Sequence, residues 1–391
     1  MNFITRTIIL FLIFITEKNV IAQHTIDFAQ SGYTAAFEKS KKENKPVFFM
    51  CYASWCSHCS NMKEKVFTDS SVANFYNQHF ICIQQDMELG EGVALRKKFK
   101  IKSYPTFIFL DSSATTLYRI TGEFTVPVFI NEGKNALTSE KQLPFLKTQF
   151  EKDASNSNNC YAYLLALKNG DLDYSDVVKT YFSTQSEKQL LSKVNWKIIA
   201  EGIKDINSRE FQFVLSHQKE FVDIASSKEV ETKIFSLVKE KLNRYVVKMD
   251  TVNYFNNRKT VASTHLYKVD SLLFMYDIKL YEQTGNWNAY KIETMELTET
   301  YACKDYLQLK EIANIYLEHF SNSVALKQAV KWANQSIVLH EEYTSYILSS
   351  KLYQKINDVQ HAIEKAKEGK ELALKYNWDY SEADSLLKNF K

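Results

Sequence analysis

From Phe28 to about Leu137, short apolar runs alternate with stretches whose apolar residues recur at helical spacing, which predicts an α/β unit with parallel strands. Pro46 to Tyr52 is a continuous apolar run and reads as a first strand, leading into Ser54-Trp55-Cys56. Phe80 to Gln84 reads as a second, ending at Asp86, and Thr106 to Leu110 as a third, directly after Pro105. Leu117 to Thr121 reads as a fourth, ending at Gly122. The short gap between the last two predicts an antiparallel hairpin, whereas the earlier connections are long enough for helical crossovers. Thr34 to Lys45, Cys59 to Val66, Ser71 to Gln78 and Val93 to Phe99 fill those gaps as helices.

The pattern then changes. All four prolines (Pro46, Pro105, Pro127 and Pro144) precede residue 145, and the chain beyond is permissive for helix throughout. Apolar residues there repeat at helical spacing, as in Val230, Ile234, Phe235, Val238, Leu242 and Tyr245, and in Leu326, Ala329, Val330, Ala333 and Ile337. The expected organisation is an α/β domain over 23–141 and an all-α region over 142–391, with the polar run Asp153 to Asn159 as a linker or loop near the boundary. At an offset of 33 residues Phe320, Ala329 and Ser336 fall on Tyr353, Ala362 and Gly369, large residues on one helix and small ones on the next. This resembles tetratricopeptide repeats, most clearly over residues 342–375 within 310–391, and the alternative is an unrelated helical bundle.

Composition adds what the chain is not. It has 391 residues, 45% hydrophobic and 24% charged, ordinary for a globular protein of more than one domain. A net charge of +3, with basic and acidic residues interleaved, gives no nucleic-acid footprint. The cluster Arg96, Lys97, Lys98, Lys100 and Lys102 reads as a solvated helix face. At the N-terminus Arg6 precedes the apolar run Ile8 to Ile15, and Val20-Ile21-Ala22 precedes Gln23, the pattern of a secretory signal peptide over 1–22. Eight apolar residues fall well short of the roughly 20 needed to span a bilayer. No cysteine follows the expected cleavage point for lipid attachment, so the expectation is a soluble periplasmic or secreted protein.

Six cysteines are too few and too scattered to staple a chain of this size. Cys51 and Cys82 lie in apolar runs and read as small buried hydrophobes, and Cys160 and Cys303 are isolated in helical patterns. Cys56 and Cys59 are different: they stand where a strand gives way to a helix, whose N-terminal N–H groups favour an anion. A thiolate is such an anion, so Cys56, at the exposed helix start, is expected to be the nucleophile. Cys59, one turn deeper, is placed to resolve a mixed disulfide on Cys56.

The order strand, Trp55-Cys56-Ser57-His58-Cys59, helix, then Ser103-Tyr104-Pro105-Thr106 before another strand resembles the thioredoxin superfamily over about Thr34 to Gly122. The resemblance implies a thioredoxin-like fold, a mixed sheet flanked by helices, followed here by the helical region. It implies a cis peptide at Pro105, facing the cysteines, and a Tyr104 backbone that pairs with extended substrate, with Trp55 shaping the docking surface. Met62, Val66-Phe67, Asp86 and Lys100 to Leu110 look most like the exported subgroup that includes the C-terminal domains of disulfide-reducing membrane transporters. His58 stands where disulfide isomerases and periplasmic oxidases also carry histidine, and there it would stabilise the Cys56 thiolate and raise the reduction potential. One departure is Met50, at the place where thioredoxins bury an aspartate that helps deprotonate the second cysteine.

Other chemistries find no support. A zinc site needs about four ligands and no second pair completes one; haem c attachment needs histidine at Ser60. His340-Glu341-Glu342 has Thr344 where a metalloprotease helix carries its second histidine, and Leu89-Gly90-Glu91-Gly92 lacks dinucleotide-loop spacing. No metal or cofactor is expected. The expectation is an exported thiol–disulfide oxidoreductase acting on protein thiols and disulfides and serving cell redox homeostasis. The resemblance implies a membrane electron-donating disulfide reductase as partner. The alternative is an interaction protein whose helical region binds a partner and whose thioredoxin-like unit is a docking module.

Overall fold

The computed structural model describes residues 25–29, 32–262 and 266–390; the signal peptide expected over 1–22 lies outside them. Four strands form one sheet: β1 (Val47–Tyr52), β2 (Ile81–Asp86), β3 (Thr106–Leu110) and β4 (Thr116–Thr121), in the order β2-β1-β3-β4. β1 runs parallel to β2, with Tyr52 opposite Asp86. β3 is antiparallel to both β1 and β4, with Thr106 opposite Cys51 on one side and Thr121 on the other. The sheet is therefore mixed, and β3 departs from the parallel direction expected of it beside β1.

Why β1 reads as an unbroken apolar run follows from its central place. Side chains alternate across a strand: Phe48 and Met50 enter one cluster with Phe107 and Phe109, while Val47, Phe49 and Cys51 enter another with Ile83 and Ile108. Both faces are buried, so both periods must be apolar. α1 (Gly32–Glu43), α2 (Ser57–Asn61), α3 (Ser70–His79), α4 (Gly92–Lys98) and α5 (Val126–Leu137) surround the sheet. Tyr76 of α3 and Phe129 of α5 cover the first face, with rings stacked at 4.6 Å and the Tyr76 hydroxyl donating to Phe129 O at 2.8 Å. Ala36 and Phe37 of α1 and Leu95 of α4 cover the second. After Asn61 the helix passes into a π turn, Met62–Val66, where Phe67 N–H reaches Met62 O.

Three further helices, α6 (Leu143–Lys152), α7 (Ser157–Asn169) and α8 (Ser175–Ser183), complete this unit, which ends at Ser186. The change of sequence pattern after 141 marks a change in element type, whereas packing continues: α6 and α7 lie against β4. Thr121 Oγ1 donates to Asn169 O at 3.1 Å, and Ser103 Oγ to Asp171 Oδ2 at 2.9 Å. Asp153 to Asn159 is a helix start, in which the Asn156 side chain accepts from the N–H groups of Asn158 and Asn159.

From Glu187 onward the described residues form a second, all-helical unit. Tyr306–His319 packs on Ser323–Leu339, and Tyr343–Lys355 on Val359–Lys375. Small residues let the second pair close: a Cβ at Gly369 would meet Tyr346 Cβ at 2.9 Å. Cys303 stands in the turn after Trp287–Tyr301 rather than in a helix. Trp332 is fully buried, edge-on to Tyr316 at 5.2 Å. Asp277, 1% exposed, accepts from Tyr254 Oη at 2.6 Å and from Arg258 Nε and Nη2 at 2.8 and 2.5 Å. Removing that acceptor leaves the Tyr254 phenol without its partner and Arg258 with only Glu293, at 3.9 Å, so Asp277→Ala should cost about 1–3 kcal/mol in urea unfolding of the whole chain; a loss below about 1 kcal/mol would show that water takes its place.

Candidate active site

The sheet order brings four chain segments to one edge. β1 and β2 end there, β3 begins there and β4 ends there, so residues 53–59, 86–88, 103–105 and 122–123 become neighbours. Met87 N–H donates to Tyr52 O at 2.8 Å, and Gly122 N–H to Pro105 O at 3.0 Å, which tie these segments together.

Cys56 caps α2 in an extended conformation, φ −79° and ψ 108°, and its Sγ accepts the Cys59 N–H at 3.2 Å. The two cysteines are joined as a disulfide, with Cα atoms 5.3 Å apart. An N–H directed at sulfur favours the thiolate once the pair is reduced. Cys56 is far less open than a helix-start position suggests: it is 5% exposed and Cys59 2%. Trp55, 73% exposed, and Tyr104 wall it in, with rings edge-to-face at 6.0 Å. Access is through a cavity of about 300 Å³ lined by Trp55, Cys56, His58, Arg96, Lys102 and Tyr104 among others. The Tyr104–Pro105 peptide is cis, as the resemblance implied, and the Pro105 ring is buried. Among the described residues, the N–H and C=O of Tyr104 enter no turn or sheet hydrogen bond.

Three carboxylates hold the residues around the cysteines. Asp86 Oδ2 accepts from Ser54 N at 3.0 Å and from Ser54 Oγ, and Asp86 Oδ1 from Glu88 N at 2.9 Å. Burial pushes its pKa up, but these hydrogen bonds and nearby Lys63 outweigh it and hold the carboxyl below its ordinary value. Glu88 Oε2 accepts from Trp55 Nε1 at 2.7 Å while Oε1 pairs with Arg96 at 3.3 Å. Arg96 in turn lies 5.7 Å from the centre of the Tyr104 ring. Glu123 Oε2 meets His58 Nδ1 at 2.6 Å, and that hydrogen bond first, then Asn61, lowers the Glu123 pKa. Sequence reasoning gave no role to Glu88, Arg96 or Glu123, because each meets the motif only through the sheet.

The interior beneath the pair is different in kind. Met50 lies fully buried in the apolar cluster that contains both cysteines, and Asp86 is the buried carboxylate among the described residues of this unit. Cys51 and Cys82 are buried as expected, and burial pushes both thiols far above the range of a free cysteine. They are inert packing groups.

Residues 33–136 match the family model of a thioredoxin-like domain. Mouse spermatogenesis-associated protein 20 is 37% identical over 103 residues, 25% of this chain and 12% of that protein. Thiol:disulfide interchange protein DsbD of Yersinia pestis is 29% identical over 100 residues, 25% of this chain and 17% of DsbD. The chain thus spans a small fraction of these curated relatives. A candidate disulphide-isomerase from Bacteroides thetaiotaomicron is 37% identical, over 30% of this chain and 97% of the other, at a TM-score of 0.28.

The Asp86 linkage is testable by pH. Because the folded pKa lies below the unfolded one, the carboxylate's contribution is complete above the unfolded value and is lost as pH falls through the folded one. Asp86→Asn should cost about 1–3 kcal/mol at neutral pH, and the gap from the unmodified chain should close on acidification through that value. Urea melts across a pH series read both; a gap independent of pH would mean the carboxylate's charge is not what stabilises the edge.

Proposed function

We propose that the thioredoxin-like domain of residues 33–136 makes this chain an exported thiol–disulfide oxidoreductase that exchanges disulfides with protein partners. The observation that carries the reading is the Cys56–Cys59 pair, of which Cys56 lines a solvent-reached cavity and has its sulfur already held by a main-chain N–H. In the reducing direction the Cys56 thiolate attacks a partner disulfide, forming a mixed disulfide and releasing one partner thiolate. Cys59, deprotonated, then attacks Cys56 Sγ; the second partner thiolate leaves and the Cys56–Cys59 disulfide forms. Two electrons pass to the partner, whose thiolates take up two protons, and a dithiol reductant restores the pair. The same steps in reverse oxidise a partner dithiol.

His58, lining the cavity with Cys56, is the side chain assigned to stabilise the attacking thiolate, and its presence favours an oxidase or isomerase poise. Trp55, Tyr104 and Pro105 form the docking surface, and the unused main-chain groups of Tyr104 support pairing with an extended partner segment. Export rests on the pattern of residues 1–22 and on the DsbD likeness. Among the described residues no helix is long and apolar enough to cross a membrane. A membrane electron-donating reductase is the redox partner this reading supplies. The helical unit serves partner binding; its paired helices, the offset of 33 residues and an open groove of about 760 Å³ lined by Tyr290, Lys310 and Glu342 among others support a tetratricopeptide-like role.

Trapping tests the reaction class. Cys59→Ser should accumulate proteins in disulfide linkage to Cys56, released by dithiothreitol and absent when Cys56 is also changed to Ser. If no adduct forms while the helical unit still retains partners, the oxidoreductase reading fails in favour of a docking role. The reduction potential then assigns direction: about −270 mV marks a reductase and about −120 mV an oxidant.

A further inference from the structure

The loop that follows β4 is fastened on both sides of a single carboxylate. Gly122, at φ 108°, donates its N–H to Pro105 O at 3.0 Å, and Phe124 N–H reaches the buried Met62 Sδ at 3.3 Å. Between these anchors Glu123 Oε2 takes His58 Nδ1 at 2.6 Å and Asn61 Nδ2 at 3.4 Å. His58 lines the cavity that reaches Cys56, and Glu123 does not. The side chains of the pair are 66% and 38% exposed, so their hydrogen bond contributes little to folding.

We infer that Glu123 is a positioning residue for thiol chemistry: it fixes the His58 ring through Nδ1 and, through that ring, stabilises the Cys56 thiolate. This rests on the reading of Cys56 as the nucleophile. A carboxylate on Nδ1 selects the ring form that carries a proton there, and a protonated ring offers a second N–H on Nε2. Ionisation of reduced Cys56 sends the thiol proton to solvent and leaves a charged sulfur at the cavity that the His58 ring also lines. Two effects of Glu123 on the sulfur therefore have opposite signs. Its own charge repels the thiolate, and its grip on His58 attracts it. The His58 effect prevails, because that ring lines the cavity that reaches Cys56 whereas Glu123 does not, and Coulomb energy falls with distance. The other charged groups here are Glu88, Arg96 and Lys102 around the cavity, with Lys65 beside Glu123. Glu88 is occupied by Trp55 and Arg96, and Lys102 keeps a cation at the rim when His58 is removed.

The opposite signs make the test decisive. The reduced full-length chain is alkylated with iodoacetamide over a pH series, and Cys56 is followed by peptide mass spectrometry. Glu123→Gln should slow Cys56 alkylation near pH 6 by about threefold to tenfold and move its profile to higher pH. Glu123→Asp should recover part of the rate, and His58→Ala should slow it to a similar degree. In the His58→Ala background, Glu123→Gln should change nothing or accelerate the reaction. An unchanged or faster rate in Glu123→Gln alone, or a slowing that persists without His58, overturns the assignment. The readout involves no partner, so absent trapping by Cys59→Ser would sink the proposed function without touching this result. An ordinary thiol profile for Cys56 in the unmodified chain would instead remove the nucleophile on which both depend.

Discussion

The position of β1 between a parallel and an antiparallel neighbour is the constraint on which the site depends. Tyr52 opposite Asp86 puts the ends of β1 and β2 at the same level, and Cys51 opposite Thr106 puts the start of β3 beside them. A one-residue slip would exchange the two faces of β1, moving Phe48 and Met50 from one cluster to the other. Because both faces of β1 are packed with aromatic and branched side chains, that slip would have to rebuild two cores at once. The register is therefore fixed by packing far from the cysteines, and the cysteines inherit it.

Above that edge, polarity is distributed with a clear division. The cysteine pair rests on an apolar floor that includes Met50, and charge reaches it only from the rim, where Asp86 holds Ser54, Glu88 holds Trp55 and Glu123 holds His58. A buried carboxylate beside Cys59 would carry a large desolvation cost unless it shifted its pKa. Glu88 and Glu123 avoid that cost because each is paired where water still reaches it, and the buried Asp86 offsets it with hydrogen bonds from Ser54 and Glu88. On the proposed function, proton exchange at the pair falls to the cavity, which His58 lines together with Cys56.

What the sequence disclosed and what it withheld divide by range. The β1 run, the Trp55 to Cys59 segment, Pro105 and the helical spacing after Pro144 are local patterns, and each lies where its pattern implied. Glu88 and Glu123 lie 33 and 65 positions from Trp55 and His58, Arg96 acts through Glu88, and no local pattern distinguishes the three from solvated charges. Arg96 shows the point: it belongs to a basic run that reads as a solvated face, yet it pairs with Glu88 and lies over Tyr104. The exposure of Cys56 was misjudged for the same reason, since Tyr104, 48 positions on, forms a wall of its cavity. Likewise the prolines end at 144, but Arg119 is buried, its Nη1 donates to Phe99 O at 2.5 Å and Gly170 closes over its side chain, so the packed unit runs on to Ser186.

The covering of Cys56 also restricts what can react with it. On the proposed function, a sulfur 5% exposed in a cavity of about 300 Å³ favours a partner that brings its own sulfur in past Trp55 and Tyr104. A disulfide lying flat on a partner's surface cannot do so, whereas one carried on an extended segment can lay its backbone along Tyr104 as it enters. The two walls differ in mobility: Trp55 is mostly exposed and pinned by one hydrogen bond to Glu88, while Tyr104 is fixed by the buried Pro105 and by the core beneath it. Of the two walls, Trp55 is the one held at its indole N–H by a single carboxylate, Glu88, which is itself paired with Arg96.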